Sequence, residues 1–194
     1  MKRRLFIAIP LSEEANEEIQ NTLERISVQI SRKFRFTPIE YRHVTLLFLG
    51  DQDESAIPSI VQALQKAASR TCASVFVKLE RIHYGPDDRR ARMIWASGDK
   101  TSSKTLSMFR RYLVEALHEN SIAWNEDDRA FHTHITLARL PSGPARFLGI
   151  LDSPKSISGG SLHGEWRCSN MDLMESVLTP QGAKYQRVER VALP

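Results

Sequence analysis

Two stretches of the chain carry one four-residue pattern, His43-Val44-Thr45-Leu46 and His134-Ile135-Thr136-Leu137. Each joins an imidazole to a hydroxyl across a single apolar residue. Histidine titrates near neutrality, so of two imidazoles in one site one can hold a proton while the other takes one. Set on opposite sides of a phosphorus atom, such a pair can give a proton to a leaving oxygen and remove one from water in a single in-line displacement. The two threonine hydroxyls can donate to the non-bridging oxygens and hold the phosphorus between the rings. That chemistry needs no metal and no covalent intermediate. One strand histidine alone is ordinarily a structural residue; the duplication makes the pattern informative.

Both copies sit in apolar, β-branched runs, His43 to Leu49 and His134 to Ala138, which favour strands. In a strand, residues i and i+2 share a face and lie roughly 7 Å apart. His43 and Thr45 therefore point one way and Val44 and Leu46 the other, into a core, and the second copy repeats this. The copies begin 134 − 43 = 91 residues apart, close to half of the 194-residue chain. Two similar halves, each delivering a His and a Thr to a shared cleft, are expected.

Other elements follow from periodicity. Arg3 to Ile9 reads as a strand, and Ser12 caps a helix with Ile19, Leu23, Ile26 and Ile30 on one face. Phe34 to Phe36 is a short strand, and the first His strand is expected to stop at Gly50. Pro58 suits the first turn of a second helix. Val75 to His83 alternates as a strand, Gly85-Pro86-Asp87-Asp88 turns the chain, and Ala91 to Ala96 returns. Thr101 to Asn120 is a long helix with Leu106, Phe109, Leu113 and Leu117 on one face. Ile122 to Trp124 is expected as a short strand before the acidic loop Asn125 to Asp128, and the second His strand runs to about Leu140. Arg146 to Leu151 is expected as a short helix. Arg167 to Ser176 and Tyr185 to Val191 are closing strands about the turn Thr179-Pro180-Gln181-Gly182. This order predicts an α+β fold: two pseudo-symmetric lobes with largely antiparallel sheets flanked by helices, and an active-site cleft between the lobes. No flexible linker divides the chain, so residues 1–194 are expected to form a single domain of two intertwined lobes.

Apolar residues make up 41% and charged residues 26%, as in an ordinary globular protein. The net charge of +4, from 27 Lys+Arg against 23 Asp+Glu, suits an anionic substrate without demanding one. Met1 to Leu11 has too short an apolar run for a secretion signal, contains Pro10 and leads into Ser12-Glu13-Glu14, so it is expected as a buried strand. No stretch is long enough for a membrane span. Cys72 and Cys168 fit no metal or redox spacing and point to reduced thiols in a cytoplasmic protein.

The two His-x-Thr-x motifs, the extended forms His43 to Gly50 and Arg129-Ala130-Phe131 through His134 to Arg139, the opening Leu5 to Pro10, Ile94-Trp95, and the ending Glu175-Ser176, Pro180, Gly182 and Tyr185 together resemble the 2H phosphoesterase superfamily. Within it the chain is most similar to the RNA 2′,3′-cyclic phosphodiesterases, also called 2′-5′ RNA ligases. The resemblance covers nearly the whole chain. It implies two pseudo-twofold lobes and opening of RNA 2′,3′-cyclic phosphates to 2′-phosphomonoesters, with a possible reversible 2′-5′ ligation. It implies no cofactor, no metal and no membrane. The partner would be RNA ends, on a tRNA-like molecule or an oligoribonucleotide. Carried over, His43 would be the proton donor, His134 the proton acceptor, and Thr45, Thr136 and Arg139 would bind substrate.

Three points set this sequence apart or stay open. Thr133 stands where family members usually have proline, next to His132. His132 and His134, two residues apart, could join His43 as metal ligands. Simple alternation puts Arg139 on the face opposite His134, so a bulge or the strand end would have to turn it inward. Phe48 and Phe131 could stack on a base, although Phe48 shares the face of Val44 and Leu46, which favours core packing. His83, His118 and His163 have no partner motif, and Arg89, Arg90 and Arg92 could line an RNA path or a solvated turn. Rival readings of the whole are the same chemistry on a small cyclic nucleotide or 2′-5′ oligonucleotide, and a non-catalytic RNA-end binder.

Overall fold

The computed structural model describes residues 1–30, 34–71, 74–86, 92–125, 130–140, 157–179 and 182–194. The expected turn at Asp87-Asp88, most of the acidic loop, the helix Arg146–Leu151, Arg89, Arg90, Arg129, Cys72 and Pro180-Gln181 lie outside the described residues. Among those described, nine strands and three α-helices follow in the order β1 (Lys2–Pro10), α1 (Glu13–Ile26), β2 (Arg35–Phe36), β3 (His43–Asp53), α2 (Ile57–Ser69), β4 (Phe76–Gly85), β5 (Met93–Gly98), α3 (Lys100–Glu119), β6 (His134–Arg139), β7 (Glu165–Arg167), β8 (Asn170–Thr179) and β9 (Gly182–Ala192).

The strands form one sheet in the order β7-β4-β5-β6-β3-β1-β8-β9, with β2 beside β6. The described pairings are antiparallel. This confirms the α+β class, but the two halves share one curled sheet rather than each having its own. The midline is the β3–β6 seam, where strand pairing is confined to Val44 opposite Ile135. Each half repeats a β-α-β unit, β1-α1-β3 and β5-α3-β6. Pro10 stands opposite His43 as Ser97 stands opposite His134. Two residues beyond each, Ser12 and Asp99 cap the following helices, accepting from the backbone N–H of Ala15 at 3.2 Å and of Ser102 at 2.7 Å.

The apolar helix faces and one sheet face close a continuous core that includes Ile7, Ile9, Ile19, Val44, Leu64, Phe109, Leu113 and Ile135. Burying these side chains, each worth roughly 1.5–3 kcal/mol, holds the helices against one face of the curled sheet and leaves the other face open. Helix α2 packs on α3 and β9, while α1 reaches β7. There Glu18 accepts from the backbone N–H groups of His163 and Gly164, both at 2.6 Å.

Several boundaries differ from expectation. β3 continues past Gly50, which takes φ +68°, to pair Gly50–Asp53 with Lys2–Leu5; a glycine in the left-handed region lets the ladder run on through a bulge. Ile122 to Trp124 is not a strand; it is tied to β3 by the Gln52 amide, which donates to the Ala123 carbonyl at 2.8 Å. The closing strand expected from Arg167 is divided into β7 and β8. No described helix is long and apolar enough to cross a membrane.

Candidate active site

Strand pairing at Val44–Ile135 fixes the site. Extending that antiparallel register by one residue either way sets His43 beside Thr136 and Thr45 beside His134. Val44, Leu46, Ile135 and Leu137 are buried in the core, so the two imidazoles and two hydroxyls share the opposite face. All four line one cleft of about 410 Å³, together with Arg139, Arg4, Phe48, Tyr41, Tyr185 and Leu178.

The two β-α-β units also share a bulge. Across β1–β3, Ala8 faces Thr45 and Ile7 faces Leu47, so Leu46 is an extra residue. Across β5–β6, Trp95 faces Thr136 and Ile94 faces Ala138, so Leu137 is extra. Each bulge reverses the alternation: Leu46 and Leu47 are both buried, as are Leu137 and Ala138. Five residues after each histidine, Phe48 and Arg139 therefore return to the cleft face. Phe48 is 64% exposed there, not packed in the core as alternation predicts. Arg139 reaches the cleft through the bulge it requires, its guanidinium donating to the Met93 sulfur at 3.2 Å.

Both imidazoles are held alike. His43 Nδ1 lies 2.8 Å from the carbonyl of Tyr41, and His134 Nδ1 lies 2.9 Å from that of His132, each two residues upstream. A carbonyl only accepts, so Nδ1 carries the hydrogen and Nε2 is the nitrogen left for proton transfer. Burial pushes His43 down to about 4; the Tyr41 carbonyl acts the other way, and Arg139 and His134 add to the depression. Burial also lowers His134, opposed by the His132 carbonyl and assisted by Arg139, His132 and His83.

The flanks are unlike. His43 is enclosed by Phe6 at 5.0 Å and Tyr185 at 5.3 Å between ring centroids. Phe6 also meets Phe48 at 6.0 Å, and Tyr185 meets Tyr41 at 5.4 Å. On the other side, His134 lies 4.3 Å from the Trp95 ring. Trp95 fits because Gly85 has no side chain: a Cβ there would stand 2.4 Å from Trp95 Cδ2. His83 meets Trp95 edge-on at 6.1 Å between centroids, and its Nε2 lies 2.6 Å from Ser97 Oγ. The sequence offered no geometric signal for His83 or Arg4, and marked Trp95 and Tyr185 only through the family pattern.

Other candidates lie elsewhere. Phe131 packs against the core, and His118 stacks on Trp124 at 4.8 Å. Exposed Arg92 uses its backbone to bond Gly85 and Leu140. Cys168 is buried, which pushes its thiol up to about 12, so it is no nucleophile. Among the described residues no three His, Cys, Asp or Glu side chains group closely enough to hold a metal, His43, His132 and His134 included. The Thr133 N–H donates to Ser103 Oγ at 3.2 Å, a bond that a proline at this position could not make.

A sheet pinched at its midline, with paired His-x-Thr strands facing one cleft, defines a two-histidine phosphoesterase. Residues 9–95 match the family described as LigT-like phosphoesterase. It is 28% identical over 191 residues to an RNA 2′,3′-cyclic phosphodiesterase of Thermus thermophilus, covering 98% of this chain and 90% of the relative. Against the RNA 2′,3′-cyclic phosphodiesterase of Methanocaldococcus jannaschii the identity is 23%, covering 96% and 98%. Among solved structures, TT0787 of Thermus thermophilus superposes with a TM-score of 0.73 at 26% identity, covering 98% of this chain and 97% of that one. E. coli LigT complexed with 3′-AMP superposes at 0.74 with 21% identity, covering 100% and 99%, a likeness of fold.

Proposed function

We propose that the protein hydrolyses RNA 2′,3′-cyclic phosphate ends to 2′-phosphomonoesters. The observation that carries this is the pairing of two His-x-Thr faces across Val44–Ile135, with both Nε2 atoms left for proton transfer. The cyclic phosphate sits between the rings. His134 Nε2 takes a proton from water as its oxygen forms a bond to phosphorus. The bond from phosphorus to the 3′ oxygen breaks, and that oxygen takes the proton of His43 Nε2, while the 2′ ester bond is kept. Thr45 and Thr136 donate to the non-bridging oxygens and Arg139 offsets their charge.

His43 is assigned to the leaving side because its flank is apolar. The departing oxygen belongs to the ribose that carries the base, and Phe6, Phe48 and Tyr185 suit a nucleoside. In the free protein both imidazoles are held below their usual range. A phosphodiester anion between them favours the charged ring and so supplies the acid that His43 must be. With a 5′-hydroxyl in place of water, the same proton transfers in the same direction would give a 2′-5′ linkage, P–O5′ forming as P–O3′ breaks.

The test is product analysis on an oligonucleotide ending in a 2′,3′-cyclic phosphate, in chelator. A 2′-phosphate product, lost in His43→Ala and His134→Ala that still fold, is expected. Full turnover in either variant, or a 3′-phosphate product, overturns the reading. Higher kcat/KM on a small cyclic nucleotide than on RNA would move the substrate to that class.

A further inference from the structure

We infer that the cleft holds a second phosphate subsite, at Arg4, which takes the phosphodiester on the 5′ side of the terminal nucleotide. The subsite rests on the reading above that the reacting phosphate lies between His43 and His134. It makes the polynucleotide end, rather than a mononucleotide, the preferred substrate.

Among the described residues that line the cleft, the only arginines or lysines are Arg139 and Arg4. They occupy different ends. Going away from the histidines, the register along β1 runs Pro10 beside His43, Ala8 beside Thr45, Phe6 beside Phe48 and Arg4 beside Asp51. Alternation turns Ala8, Phe6 and Arg4 to the cleft face. Arg3 turns the other way, to Glu175 at 2.6 Å and Glu54 at 3.9 Å. Arg4 has no hydrogen-bond or ion-pair partner among the described residues, so no carboxylate competes for its guanidinium.

Arg4 lies about 13 Å along the strand from Ala8, four residues at the usual rise. The floor between is apolar: Phe6, Phe48 and Tyr185, with Phe48 64% exposed at the mouth. Exposed apolar side chains set between two cationic positions make a stacking platform. From the seam outward the order is imidazole pair, apolar platform, guanidinium. Along a nucleic-acid strand the matching order is phosphate, nucleoside, phosphate. Arginine suits the outer position because its planar fork can grip two phosphate oxygens at once.

The experiment compares three substrates with one base: a nucleoside 2′,3′-cyclic phosphate, the same carrying a 5′-phosphate, and a dinucleotide ending in the cyclic phosphate. In the wild type, kcat/KM for the dinucleotide exceeds that for the nucleoside. In Arg4→Gln that ratio falls about tenfold, the loss expected for one charge-assisted contact. The dependence of log kcat/KM on log salt becomes shallower by about 0.7 for the dinucleotide, one single-strand phosphate contact. Arg4→Lys keeps part of the ratio. An unchanged ratio in Arg4→Gln, or an equal loss on nucleoside and dinucleotide, overturns the subsite. A gain for the 5′-phosphorylated mononucleotide that also depends on Arg4 supports it and shows that the phosphate alone is read. If the wild type turns over none of the three, the proposed reaction fails; the subsite is then judged by affinity for a dinucleotide 2′-phosphate. Weaker binding in Arg4→Gln supports it, and equal binding sinks it.

Discussion

Holding His43 neutral makes the fold sensitive to acid, and the size of the effect can be worked out. Phe6 and Tyr185 enclose the ring, and burial lowers its titration to about 4. In the unfolded chain the imidazole titrates near its ordinary 6.5. Above that value neither state binds the proton, and the full native stability is present. As pH falls from 6.5 towards 4 the unfolded chain takes up a proton that the folded ring refuses, so stability drops; below 4 the loss is complete. The gap corresponds to about 3 kcal/mol at 1.36 kcal/mol per pH unit. His43→Gln removes the titration and keeps an N–H donor for the Tyr41 carbonyl. Urea unfolding of both proteins at pH 7.5 and pH 4 gives the measurement. The wild type should lose about 3 kcal/mol more than the variant over that interval, a relative midpoint shift of roughly 1 M or more. Removing His43 also lifts its repulsion from His134, a smaller contribution than burial. Parallel losses in the two proteins would refute the claim that His43 is buried neutral.

Three further outcomes are expected. Thr45→Val and Thr136→Val, near-isosteric changes, should each lower single-turnover rates by about 10²-fold, with similar losses because the hydroxyls sit in equivalent places; a loss in one alone would count against the paired role. Arg139→Met should lower kcat/KM about tenfold or more and raise the NMR titration of both histidines, since the guanidinium pushes both down; unmoved titrations would refute the coupling. Gly85→Ala should cost about 1–3 kcal/mol in denaturant unfolding, because its Cβ meets the Trp95 ring. Adding Trp95→Leu should restore that stability but not the turnover that depends on His134; restored turnover would show that Trp95 has no part in holding the ring.

The paired histidines and threonines were legible because strand alternation is a strong local rule: an apolar run with polar residues at i and i+2 has one buried and one open face. The helices were legible for the same kind of reason, with Ile19, Leu23 and Ile26 buried at helical spacing. Phe48 escaped, and Arg139 needed a condition, because an extra residue in a ladder leaves no mark in composition. Leu46-Leu47 and Leu137-Ala138 read as apolar pairs that fit either face. β7 escaped because three residues are too few to show a period, and its pairing with β4 is set by distant sequence. The strand expected at Ile122–Trp124 failed where one side-chain bond, Gln52 to Ala123, took the place of a ladder. Arg4 was invisible as a site residue because its neighbour Arg3 has the same chemistry, and only the sheet decides which of the two faces the cleft.

A perfect twofold at Val44–Ile135 would give a site that could transfer protons but could not tell the attacking side from the leaving side. The chain breaks the symmetry at equivalent positions. Phe6 on β1 corresponds to Met93 on β5, Ala8 to Trp95, and Phe48 to Arg139, as the two registers require. Phe6 stands against His43 and Trp95 against His134, and the guanidinium of Arg139 takes the place that the Phe48 ring holds in the other half. On the proposed assignment, the nucleoside is drawn to the His43 flank and the phosphate oxygens to Arg139, so water is left the approach beside His134. On that proposal the repeated motif supplies the proton transfers and the unequal neighbours set their direction. Exchanging the neighbours, with Phe48→Arg and Arg139→Phe together, should therefore damage turnover far more than either His-x-Thr motif's local geometry would suggest, because both histidines remain in place while the substrate loses its orientation.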